Sequence, residues 1–81
     1  MDDREFDLVL IGKRIQQLRE ERFMTQREFA GLIGCTGVAI KSWEHAERGP
    51  TGYMVFYLAR MCQVSADWIL GLTDERRPIC T

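Results

Sequence analysis

The stretch from Thr25 to Glu44, TQREFAGLIGCTGVAIKSWE, constrains this 81-residue chain more than any other part of it. It reads as two short helices joined by a tight turn. Thr25 and Thr36 each stand just before a helical pattern, where a side-chain oxygen accepts a backbone N–H that the first helical turn leaves unpaired. Gly34 falls between the two helices, where the turn requires a left-handed backbone that a side chain resists. Ala30, four residues before Gly34, is small enough to let the second helix of the pair cross closely. Ile40 and Trp43 lie three apart on one face of that second helix and point back at Phe29, Ala30 and Ile33. This spacing is that of a helix-turn-helix, whose second helix commonly enters the major groove of DNA.

The remaining apolar periodicity fills in one small all-α domain. Ile11, Ile15 and Leu18 recur at helical spacing and predict a first helix through about Arg22. Leu8 and Leu10 either extend that stripe backward or contact a second subunit. Helices follow over about 26–33 and 37–45, and the loop AERGPTG ends the motif. Thr51 caps a fourth helix over about 53–62, with Val55, Leu58, Ala59 and Cys62 inward. Ser65 caps a short fifth helix carrying Trp68, Ile69 and Leu70, and Gly71 ends it. The expected organisation is an acidic N-terminal arm over 1–10, a helix-turn-helix domain over 11–72 and a flexible tail over 73–81. A core this small is thin, so the domain would be marginal alone or lean on a partner copy.

The charge is uneven along the chain. The formal net charge is −1, but residues 1–10 carry four acids and one base, whereas residues 11–64 carry eight bases and five acids. The part that holds the motif is therefore mildly basic, and local charge governs attraction to phosphates. The start MDDREFD is acidic and gives no secretory signal, and the longest apolar run, Met54 to Ala59, is too short to span a bilayer. A cytoplasmic protein with no membrane association is expected. Cys35, Cys62 and Cys80 form no CxxC pair and His45 is the only histidine, so no metal or other cofactor is expected. Cys35 and Cys62 fall at apolar positions and read as small core residues, while Cys80 lies in the polar tail. With no Gly-rich phosphate loop and no Ser/His/Asp set, an enzyme is not expected.

Four pieces in order, IGKRIQQLRE, MTQREFAGLIG, IKSWE and LARMCQVSADWILG, resemble the Cro/C1-type (XRE) helix-turn-helix transcriptional regulators over about residues 11–71. The resemblance implies a compact five-helix, lambda-repressor-like DNA-binding domain. It implies a structural ion pair between Arg19 and Glu44, and a phosphate seat at Gln26 flanked by Thr25 and Arg27. It implies a groove-facing row of Gly37, Val38, Ala39, Lys41 and Ser42, with the cap Thr36 also at the DNA and His45 and Arg48 at the next phosphates. Only Lys41 and Ser42 in that row offer polar contacts to base edges, so readout would lean on thymine methyl groups and DNA deformability. Phe23, Ala46 and Gln63 stand where many relatives have glycine at helix ends.

Two functions follow. The first is a sequence-specific DNA-binding regulator, a prophage- or plasmid-type repressor that binds double-stranded DNA at a near-palindromic operator as a homodimer. The second is an antitoxin or adaptor on the same fold, with weak or no direct base readout and a protein partner such as a toxin or another regulator. Its contacts would come from Phe6, Tyr53, Phe56 or Tyr57, of which one or two are expected in the core.

Overall fold

A computed structural model describes residues 6–78, and the described residues hold five helices and no strand. They are α1 (Leu8–Glu21), α2 (Gln26–Ile33), α3 (Gly37–Glu44), α4 (Gly52–Cys62) and α5 (Ala66–Leu70). Every helix begins at a side-chain cap. Thr25, Thr36, Thr51 and Ser65 each accept the backbone N–H three residues on, and Glu28 closes a capping box with Thr25. The first helix starts at Leu8, not at Ile11, because the Asp7 carboxylate accepts the N–H groups of Val9 and Leu10 at 3.0 and 3.1 Å. That acid belongs to a cap, and the last three residues assigned to the arm are helical. Leu8 and Leu10 do extend the apolar stripe within the chain. Their methyl groups lie 2.9 and 3.0 Å from where a Cβ would sit on Gly49 and Gly71.

One core joins all five helices. Ile11, Ile15 and Leu18 of α1 meet Phe29, Ala30 and Ile33 of α2, Ile40 and Trp43 of α3, Leu58 and Cys62 of α4, and Trp68 and Ile69 of α5. Cys62 is buried and Cys35 half-buried against this cluster, and burial pushes both thiols above their ordinary value. Cys80 lies outside the described residues. Aromatic residues expected partly in the core are not there: Phe6, Tyr53 and Phe56 are exposed and Tyr57 is half-buried. Helical spacing puts Tyr53, Phe56 and Tyr57 on the face of α4 opposite Val55, Leu58 and Cys62.

Gly34 and Gly71 close α2 and α5 with left-handed backbones. The same conformation occurs at three non-glycine residues, Phe23 (φ 55°), Ala46 (φ 59°) and Gln63 (φ 56°). The helix ends therefore keep the glycine-type geometry without the glycine. Phe23 is 95% exposed, so its ring contributes little packing to offset the strain. Phe23→Gly is expected to stabilise the fold by about 1 kcal/mol and to raise Tm by about 4–8 °C in a far-UV circular dichroism melt.

The tail expected to be frayed is held over residues 73–76. The N–H of Ser65 donates to the carbonyl of Arg76 at 2.8 Å. Arg14 donates to the Trp68 carbonyl, to the Thr73 carbonyl at 2.9 Å and to Asp74 at 3.1 Å. Arg76 forms a two-pronged pair with Glu21, and the Arg14 and Arg76 guanidinium groups lie 4.8 and 5.2 Å from the Trp68 ring centroid. The Arg76 hydrogen bonds pull the Glu21 carboxyl down from 4.5 to about 2. A depressed carboxylate contributes stability above its unfolded pKa and loses it as pH falls through the folded one. Arg76→Gln should therefore melt earlier than wild type at neutral pH, by the equivalent of less than about 1 kcal/mol for a partly exposed pair. The gap should close as pH falls from 4.5 towards 2.

Candidate nucleic-acid interface

The site is built where the starts of α2 and α3 meet. A Cβ on Gly37 would lie 3.4 Å from the Arg27 Cα, so the first turn of α3 sits directly against the first turn of α2. Both helices are only eight residues long and need external support. They receive it from one carboxylate. Glu44, whose side chain is 3% exposed, accepts Arg19 Nε at 2.6 Å, Arg19 Nη2 at 3.0 Å and Gln26 Nε2 at 3.1 Å. The remaining arm of Arg19 donates to the Met24 carbonyl at 2.9 Å. One buried group thus ties α1, the start of α2 and the end of α3 together. The Glu44 bond raises the Arg19 guanidinium pKa further.

Gln26 does not stand free at the helix start. One of its amide N–H groups is committed to Glu44, which leaves the second available. Thr25 and Arg27 beside it are exposed, and no described residue pairs with the Arg27 guanidinium.

The other face of α3 borders an open groove of about 660 Å³. Of the residues expected to face DNA, this groove gathers Thr36, Val38, Ala39, Lys41, Ser42 and Arg48. Thr25, Gln26, Arg27, Gly37 and His45 do not line it. Val38 is its most prominent apolar group, 79% exposed on the first turn of α3. Ala39 turns partly inward against the core. Lys41 and Arg48 are exposed and make no ion pair with any described residue. His45 forms the C-cap of α3, its N–H donating to the Lys41 carbonyl at 3.0 Å.

The helix-turn-helix family model matches residues 15–69. The chain belongs to the Cro/C1-type helix-turn-helix family. It is 34% identical over 68 residues to the HTH-type transcriptional regulator DicA of Escherichia coli, a match that covers 84% of this chain and 50% of that protein. It is 33% identical over 61 residues to repressor protein C2 of Salmonella phage P22, covering 75% of this chain and 28% of the repressor. The chain thus spans half or less of these two curated relatives. Among solved structures, the P22 c2 repressor in complex with a synthetic operator superposes with a TM-score of 0.71 at 33% identity, over 75% of this chain and 92% of that one. The solution structure of the P22 c2 DNA-binding domain superposes with a TM-score of 0.68 at 31% identity. The fold is accordingly the five-helix, lambda-repressor-like one.

Two further groups belong to the site although no local sequence pattern marks them. Glu47, Gly49 and Thr51 line the groove although they lie in the loop after α3. Gly12 is the second. A Cβ there would lie 2.3 Å from the Trp43 carbonyl oxygen, so α1 passes the end of α3 too closely for a side chain at this position. Gly12 falls between Leu8 and Ile15 in an ordinary helical pattern, and only its lack of a side chain hints at that contact.

Proposed function

We propose that this chain is a DNA-binding transcriptional regulator of the repressor type, acting in the cytoplasm. It binds a near-palindromic operator as a homodimer, with α3 of each copy in a major groove and half-sites about 34 Å apart. The observation that carries this reading is the groove beside α3, which presents an exposed valine together with two cations that pair with no described residue. In water an exposed valine gains nothing. Against a thymine methyl it buries apolar surface, and Lys41, Ser42 and Arg48 supply the polar and phosphate contacts around it. The P22 repressor's solved complex with operator DNA supports the assignment by likeness. Gln26, Thr25 and Arg27 are the proposed phosphate contacts at the start of α2.

The test is a fluorescence-anisotropy titration with duplex DNA from upstream of the protein's own coding region. Scrambled duplex and a duplex with uracil in place of thymine serve as comparisons. Preferential binding that weakens with salt is expected, because phosphate contacts release counterions. Each methyl removed from a Val38 contact should weaken binding about fourfold, the equivalent of about 0.8 kcal/mol. Salt-independent binding, or equal affinity for the scrambled duplex, refutes the reading.

A second reading, a protein-interaction module such as an antitoxin or adaptor, rests on α4. The Tyr53 and Tyr57 rings meet at a tilt of 56° with centroids 4.9 Å apart, and Phe56 meets Tyr57 edge-on at 5.4 Å. Tyr53 and Phe56 are 67% and 55% exposed. A partner that co-purifies with the wild type but not with Phe56→Ser would favour it.

A further inference from the structure

Glu47 is the one acidic residue among those that line the groove beside α3. Its side chain is exposed and makes no hydrogen bond or ion pair with any described residue, although Lys41 and Arg48 line the same groove. Its position is set by the backbone: the Glu47 N–H donates to the Ser42 carbonyl at 3.0 Å, which folds the loop back against the last turn of α3. Ser42, Lys41 and Val38 lie at helical spacing on that same helix.

A free carboxylate in a groove that receives DNA is repelled by the phosphates unless it meets a donor. The major groove offers few. Guanine presents only acceptors there and thymine an acceptor and a methyl, while cytosine N4 and adenine N6 carry donor hydrogens. Adenine sets the N7 acceptor beside its amino group, which opposes a carboxylate. Cytosine has no acceptor on that edge. We propose, on the basis of the DNA-reading function above, that Glu47 is a specificity-determining residue that accepts a hydrogen bond from cytosine N4 at one position of each half-site. Val38 then selects thymine methyls and Glu47 selects cytosine, so one groove reads both pyrimidines of a strand by different chemistry. At every other base the carboxylate stays uncompensated and lowers affinity.

The experiment is selection of bound sites from a randomised duplex library with the wild-type chain and with Glu47→Ala, which removes the acceptor altogether. Glu47 is exposed, so the variant keeps the fold, which a circular dichroism melt verifies. The wild type is expected to enrich one cytosine position per half-site. The variant is expected to lose that preference about fivefold or more while keeping the others. Uniformly tighter binding by the variant, with base preferences unchanged, would show that Glu47 only repels phosphates and would overturn the proposal. If the wild type enriches no sequence at all, the DNA-reading function itself fails, and the cytosine contact with it. Retained thymine preference without a cytosine preference overturns the cytosine contact alone.

Discussion

Glu44→Ala is expected to destabilise the domain by about 3–5 kcal/mol, the cost of breaking a buried ion pair from one side. The loss is large because three donors converge on this carboxylate, two from Arg19 and one from Gln26. Removing the acceptor leaves Arg19, whose side chain is 15% exposed, charged and with only the Met24 carbonyl to bond. A domain of this size is stable by about 4–12 kcal/mol, so the variant should be partly unfolded near body temperature. Urea denaturation followed by tryptophan fluorescence measures it. Glu44→Gln separates charge from shape: it keeps one acceptor oxygen and should fall between the two. A loss under 1 kcal/mol for Glu44→Ala would mean that the pair is no more than a surface contact.

Gly12→Ala is expected to rival it, at about 3 kcal/mol, although it adds a single methyl group. The new carbon would lie 2.3 Å from the Trp43 carbonyl oxygen and 3.2 Å from that of Glu44. Both obstacles are backbone, so no rotamer change relieves them, and α1 must move away from α3. Moving α1 also stretches the Arg19–Glu44 pair two turns along the same face of α1, so the two variants should not add independently. A double-mutant cycle on denaturation midpoints reads that coupling. Full additivity would show that the clash is absorbed elsewhere.

The sequence displays the parts of this fold that local chemistry decides. Hydroxyl caps act within three residues, so Thr25, Thr36, Thr51 and Ser65 are legible as helix starts, and Gly34 and Gly71 as helix ends. Asp7 performs the same capping but sits in an acidic run, where one functional carboxylate looks like its neighbours. Contacts between distant residues are another matter. Arg14 reaches Asp74 across 60 positions and Arg76 reaches Glu21 across 55, and neither pairing leaves a periodic trace. The same holds for the site. Val38, Lys41 and Ser42 are placed by helical spacing, whereas Glu47 and Gly49 reach the groove only because the loop after α3 folds back onto Ser42. The exposed rings of α4 are a further limit: an aromatic residue in a helix announces burial, and here the opposite face already fills the core.

The anchoring of α3 at its far end also shapes how binding free energy is used. Gly12, Arg19 and Gln26 grip the last turn, and Val38 projects from the first. The helix is therefore held at both ends, its last turn by these groups and its first turn by the start of α2, and only the side that carries Val38 stands free in solvent. A short helix left to itself would lose much of its contact energy to ordering on arrival at a target. Clamped in this way it arrives already ordered, and the weak forces between a valine and a methyl group are left to decide between one sequence and another.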